Sequence, residues 1–194
     1  TDGNNWVDGK KLIEGKLKIR DRKTKEFLMG SYQSYLFNGW LIKRMELNHL
    51  LEKFSEAETE QVMNLPEGSL KGTKEQPNFF KLVDGDVMMH YPYGRLFNVE
   101  NLEEEAKRFE TKDIAPAGLL AGKKAKVAEG VAGLIEKPFV EEMNLNGTRR
   151  YAWIQVTEVK KNYVEEKAHY ELSFALPKGC YATNVLDVLR GENL

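Results

Sequence analysis

Between residues 31 and 54 the apolar side chains recur at steps of three and four, as Leu36, Trp40, Leu47, Leu50, Leu51 and Phe54. That period puts them on one stripe of a helix, and so long a stripe must be covered by other parts of the chain. Tyr32, Tyr35, Phe37 and Trp40 fall in the same segment. Core packing is the reading taken for these rings, ahead of stacking on a nucleic-acid base.

Near the C-terminus the period changes to two. Tyr151, Trp153, Gln155 and Thr157 alternate with Ala152, Ile154, Val156 and Glu158, and Tyr170, Leu172, Phe174 and Leu176 make a second alternating run. Two such runs joined by polar residues 160–167 predict an antiparallel pair with a turn between them. Pro177-Lys178-Gly179 stops the second run, and Val185, Leu186 and Leu189 give residues 182–189 the inward face of a closing helix.

The rest is read from caps and turns. Residues 5–16 predict a short helix ending near Gly15, and residues 20–25 a basic connector. Ser55 with Glu58, and Asn101 with Glu104, have N-cap spacing, so helices are expected to start there, the first stopping before Pro66 and the second running through Phe109. Apolar runs at 87–91 and 95–99 flank Pro92-Tyr93-Gly94 as in a hairpin. Residues 113–133 are rich in Gly, Ala and Lys and show no period. Elements of both kinds in this order argue for an α+β fold.

Composition narrows the functional classes. A chain of 194 residues with 41% apolar and 30% charged residues is ordinary for a water-soluble protein, and no apolar run nears the ~20 residues of a membrane span. The formal charge of −1 supplies no global attraction to phosphate, so any nucleic-acid binding must come from local patches. Cys180 is the only cysteine, which excludes an internal disulfide and fits a cytoplasmic location. His49, His90 and His169 are far apart and without cysteine partners, so no metal site is expected. Asp84-Gly85-Asp86 reads as a solvated turn. Thr1 stands where an initiator Met would, and the start reads as a cut.

No Gly-rich phosphate loop, Gly-x-Ser-x-Gly elbow or His-Glu-x-x-His pattern is present. Two segments have the chemistry of RNA contact. Arg149-Arg150 follows a Gly turn and leads into a strand, where planar guanidinium groups could grip phosphate oxygens or form an exposed surface pair. In Leu176-Pro177-Lys178-Gly179-Cys180-Tyr181-Ala182-Thr183, Gly179 permits close backbone approach, Lys178 supplies a cation, and Tyr181 offers a face to a base. A purely structural turn is the competing reading.

Residues 174–183, Phe-Ala-Leu-Pro-Lys-Gly-Cys-Tyr-Ala-Thr, resemble the C-terminal signature of the TruD family of tRNA pseudouridine synthases. Arg20-Asp21-Arg22, Ser34-Tyr35-Leu36-Phe37-Asn38, residues 82–88, residues 116–122 and Gly147-Thr148-Arg149-Arg150 are similar to family landmarks in the same order. The resemblance covers essentially the whole chain. Two departures are Leu119, where a second proline is common, and Leu186-Asp187-Val188-Leu189, which lacks the usual Arg-Glu pair.

The resemblance implies a pseudouridine synthase catalytic fold interrupted by a large insertion, the TRUD domain. Residues 1–16 would be the outgoing tail of the catalytic domain, 17–154 the insertion, and 155–194 the return. It implies isomerisation of uridine in tRNA, typically at position thirteen, with an aspartate nucleophile and no cofactor. That aspartate is expected upstream of Thr1, so no catalytic residue is assigned. Tyr181 would line the uracil pocket, Gly179 and Thr183 would shape the turn beneath it, and Arg149, Arg150 and Lys178 would contact the tRNA. The alternative from another class is a noncatalytic RNA-binding or interaction module. Strands short of partners would favour pairing between copies.

Overall fold

Helix α1 (Asn5–Ile13) lies along the first half of α2 (Arg22–Lys53), which is 32 residues long. The computed structural model describes residues 3–92, 94–178 and 180–191. The two helices approach closely because Gly9 carries no side chain: a Cβ there would sit 2.1 Å from the Leu28 carbonyl oxygen. Trp6 stacks on Tyr35 with centroids 3.9 Å apart and planes 5° from parallel.

Helix α2 starts at Arg22, well before the apolar stripe. Asp21, in extended backbone, accepts a 2.7 Å hydrogen bond from the Thr24 N–H and so caps the helix. The basic residues after it therefore form a first turn instead of the connector expected from composition. Leu36, Trp40, Leu47 and Leu51 are buried as the stripe predicts, while Phe54, where the helix ends, is 45% exposed. Helix α3 (Glu56–Met63) follows with its full capping box, the Ser55 N–H donating to Glu58 at 2.8 Å.

Strand β1 (Val87–His90) pairs antiparallel with β2 (Leu96–Asn98), the expected hairpin. Helix α4 (Leu102–Glu110) is capped by Asn101, as expected. Strand β3 (Ile114–Leu120) then pairs with β1 and with β4 (Thr148–Tyr151), giving the order β2-β1-β3-β4. The structure thus finds a strand in the segment that showed no period. Six of its seven residues are buried, so no polar side chains alternate with the apolar ones. Gly118 lets α2 pack on this strand, since a Cβ there would lie 2.3 Å from Trp40 Cζ3 and 2.7 Å from Phe37 Cε2. Helix α5 (Gly130–Glu136) covers Leu47, Leu51, Leu70 and Val83 with Val131, Ala132 and Ile135.

Two buried ion pairs fasten these layers. Arg44 lies inside the apolar stripe of α2 and holds the Asp86 carboxylate through both terminal nitrogens, with its guanidinium 4.8 Å from the Phe80 ring. Asp86 is therefore not a solvated turn residue. Its second oxygen also accepts the Val83 N–H at 2.8 Å, and only Asp84 is exposed. Glu136, at the end of α5, is paired with Arg149 of β4.

Contacts divide the chain into Thr1–Ala152 and Trp153–Leu194. The second unit holds β5 (Thr157–Val164) antiparallel to β6 (His169–Ala175), then α6 (Ala182–Arg190). The single strand expected over residues 151–158 is instead two strand ends separated by residues 152–156. The pairing of β4 stops at Tyr151, opposite Ala117. Most of the polar run expected as a turn belongs to β5, which is exposed along nearly its whole length and so can carry Lys160, Lys161 and Asn162. The turn is the short 3-10 segment Glu165–Lys167.

Candidate nucleic-acid interface

In the second unit the chain leaves β6 at Ala175 and enters α6 at Ala182 through a tight turn. The Cys180 N–H donates to the Pro177 carbonyl at 3.2 Å. Tyr181 occupies the N-cap position with φ −106° and ψ 124°, and its phenol takes no part in capping. The ring is 71% exposed. Lys178 and Thr183 are exposed on either side and Cys180 is half-buried, while Gly179 lies outside the described residues. The turn thus offers an open aromatic face and an ammonium group within a few residues, a combination suited to stacking a base and meeting a phosphate. Elsewhere in this unit Tyr163, Tyr170 and Leu172 on the hairpin and Val188 and Leu189 on α6 are exposed as well, among charged residues such as Lys160, Lys161 and Glu171.

In the first unit Arg149 and Arg150 part company. Consecutive residues of a strand point to opposite faces, so two adjacent forks cannot grip the same phosphate chain. Arg149 points inward. Its guanidinium donates to Glu136 at 2.5 and 2.7 Å, to the Lys126 carbonyl at 2.6 Å and to the Ala117 carbonyl at 3.1 Å. The expectation of a surface cation at Arg149 is corrected: four of its five N–H donors are engaged inside the protein and the side chain is buried. Arg150 points outward, where it lies 5.2 Å from the Phe37 ring and donates to Ser34 Oγ at 3.3 Å. It keeps further N–H donors for a ligand. The strand alternation of residues 148–151 was the signal that could have separated the two.

An open cleft of about 540 Å³ lies beside the end of β3, with Lys123 and Lys124 opposed by Glu141 and Glu142 in its lining. Its mixed charge does not favour phosphate. Next to it the Tyr32 phenol is buried and donates to Glu141 at 2.6 Å, and both effects, burial first, push its pKa above the ordinary phenol range. Among the described residues no three His, Cys, Asp or Glu side chains are grouped to hold a metal ion. No helix among them is long and apolar enough to cross a membrane.

A family model described as tRNA pseudouridine synthase D (TruD) matches residues 7–188. Proteins named tRNA pseudouridine synthase D from Sulfurimonas denitrificans and Nitratiruptor are 46% and 49% identical over 187 residues, 96% of this chain and 52% of theirs. One of that name from Helicobacter pylori is 40% identical over 199 residues, 97% of this chain and 52% of its own length. The chain spans about half the length of the curated relatives it matches. A crystal structure from Methanosarcina mazei described under the name TruD superposes with a TM-score of 0.52 at 19% identity, covering 95% of this chain and 56% of that one, a likeness of fold. With nearly the whole sequence matched, the chain belongs to the tRNA pseudouridine synthase D family.

Proposed function

We propose that a protein containing this chain converts uridine to pseudouridine in tRNA, at position thirteen, with its nucleophilic aspartate on a part of the parent that this chain does not include. The observation that carries the reading is the Tyr181 ring, 71% exposed at the junction of the last strand and last helix of a family member. A target uracil has to leave its stack to be modified, and an open aromatic face gives it a surface to rest on. The bond from N1 to C1′ breaks, the base turns, and C5 bonds to C1′. The C5 proton is lost and N1 regains one, so the change is an isomerisation that needs no oxidant.

In this reading Tyr181 holds the flipped base, Lys178 and Thr183 border it, and Arg150 contacts the tRNA backbone. Gly179 shapes the turn. Arg149 positions β4 and does not touch RNA. The expected setting is the cytoplasm, where tRNA is found.

The test is to join the chain to the N-terminal half of a relative and assay pseudouridine in a tRNA transcript. Tyr181→Ala should lower turnover by about tenfold or more, with Tyr181→Phe close to wild type, because stacking needs the ring and not the hydroxyl. A joined protein that binds tRNA and forms no product would favour a noncatalytic RNA-binding module.

A further inference from the structure

We infer that the N-terminal end of α2 and Arg150 of β4, both in the first unit, form one cationic strip that holds the RNA backbone. The inference rests on the tRNA reading above and assigns it a second contact.

Charge marks one end of the strip. Of residues 16–25, six are Lys or Arg and only Asp21 is acidic, in a chain whose net charge is −1. The Asp21 carboxylate is occupied as a helix cap, and Glu26 is paired with Arg22 at 2.8 Å. Lys16 is paired with Glu14 at 2.7 Å. Lys18, Arg20 and Lys23 are exposed and form no ion pair among the described residues.

Geometry connects that end to Arg150. Lys23, Phe27, Gly30 and Ser34 follow one another at steps of four, three and four, so they lie along one line of α2. This line is turned away from the buried residues Leu28, Tyr32 and Leu36. Lys23 is exposed, Phe27 is 60% exposed, and a Cβ at Gly30 would meet nothing within 4 Å, so the line is open at these positions, while Ser34 is half-buried. At its far end Ser34 accepts from the Arg150 guanidinium at 3.3 Å. From Lys23 to Ser34 the helix rises about 16 Å, enough to meet several phosphates.

Cations at both ends, an exposed aromatic ring between them and small side chains elsewhere suit a phosphate backbone with an occasional unstacked base. The occupant is therefore RNA, independent of its sequence. An acidic protein would gain less from Phe27, and an anionic membrane would want more apolar side chains beside it.

The experiment measures binding of a fluorescent tRNA transcript to the 194-residue chain by anisotropy over a series of NaCl concentrations. One variant carries Lys18→Gln, Arg20→Gln and Lys23→Gln. The control, with the same change in charge, carries Lys53→Gln, Lys71→Gln and Lys112→Gln. The strip variant should bind at least about tenfold more weakly at low salt, and its slope of log affinity against log salt should be shallower by about two. Arg150→Gln added to it should weaken binding further, and Phe27→Ser alone should reduce affinity about fivefold or more.

Equal affinities and slopes for the two triple variants would overturn the strip, as would a wild-type chain that binds no tRNA at any salt. Co-sedimentation with phosphatidylserine vesicles that is lost only in the strip variant, with tRNA binding unchanged, would reassign the surface to lipid. The strip and the Tyr181 reading fail separately. Isomerisation with no salt-slope difference removes the strip, while strip-dependent binding without isomerisation removes the enzyme.

Discussion

Arg149 and Glu136 close on each other inside the first unit, with nitrogen-to-oxygen distances of 2.5 and 2.7 Å and both side chains almost fully removed from solvent. The pair ties the edge strand β4 to the end of α5. Removing one partner leaves a bare charge in the interior, which costs far more than the pair itself contributes.

Arg149→Ala should therefore destabilise the chain by about 3–5 kcal/mol in urea unfolding. Arg149→Lys should recover little of this, since an ammonium cannot reproduce the fork that serves Glu136 and two carbonyls. Arg150→Ala, one residue away and exposed, should change stability by no more than about 0.5 kcal/mol. Equal effects at the two positions would show that the assignment of inward and outward arginines is wrong.

Gly118 is the point where β3 touches α2. Gly118→Ala puts a carbon 2.3 Å from Trp40 Cζ3, so the sheet and helix must separate or the indole must turn. A loss of about 1–3 kcal/mol is expected. Part of it should return when Trp40→Leu is added, and a double-mutant cycle by denaturant titration would measure that coupling. Strict additivity would place the strain elsewhere.

The capping box of α3 has a pH dependence of definite sign. Bonds to Glu58 from the Ser55 hydroxyl at 2.6 Å and the Ser55 N–H at 2.8 Å favour the carboxylate, and its pKa lies below the ordinary value of 4.5. A carboxyl depressed in the folded state stabilises fully above its unfolded value and stops doing so as pH falls through the folded one. Glu58→Gln should accordingly be less stable than wild type at pH 7, with the two melting temperatures converging as the pH falls below 4.5 and through the depressed value of the folded state. A gap that stays constant with pH would separate the cap from the charge.

Local signals reported the elements whose stabilising contacts are themselves local. Ser55 with Glu58 and Asn101 with Glu104 announce helix starts within four residues, and both caps form as written. The stripe through Leu36, Trp40, Leu47 and Leu51 likewise describes its own burial. Strand β3 was hidden because its environment is apolar on both sides, and that is a property of what packs on it. Asp21 shows the reverse error: a run of charges looked like a loop, although an N-cap aspartate stands in the middle of it.

At the candidate interface the resemblance located Tyr181, and the structure adds that its ring is open. The burial of Arg149 is not legible in its own neighbours, because its partner Glu136 belongs to a different element. One clue was legible: a charged residue at helical spacing within an apolar stripe, as Arg44 stands between Trp40 and Leu47, has to find an opposite charge indoors. Asp86 is that charge, and the Asp-Gly-Asp motif is a fastening point.

The length of α2 has a mechanical consequence. Its 32 residues make a rod about 48 Å long, clamped from Leu28 onward by buried side chains while residues 22–27 stand clear of the core. The backbone of such a tip already has a fixed bearing, so a ligand docking there would forfeit less backbone disorder than it would against a loop, and only the long side chains would remain to be immobilised.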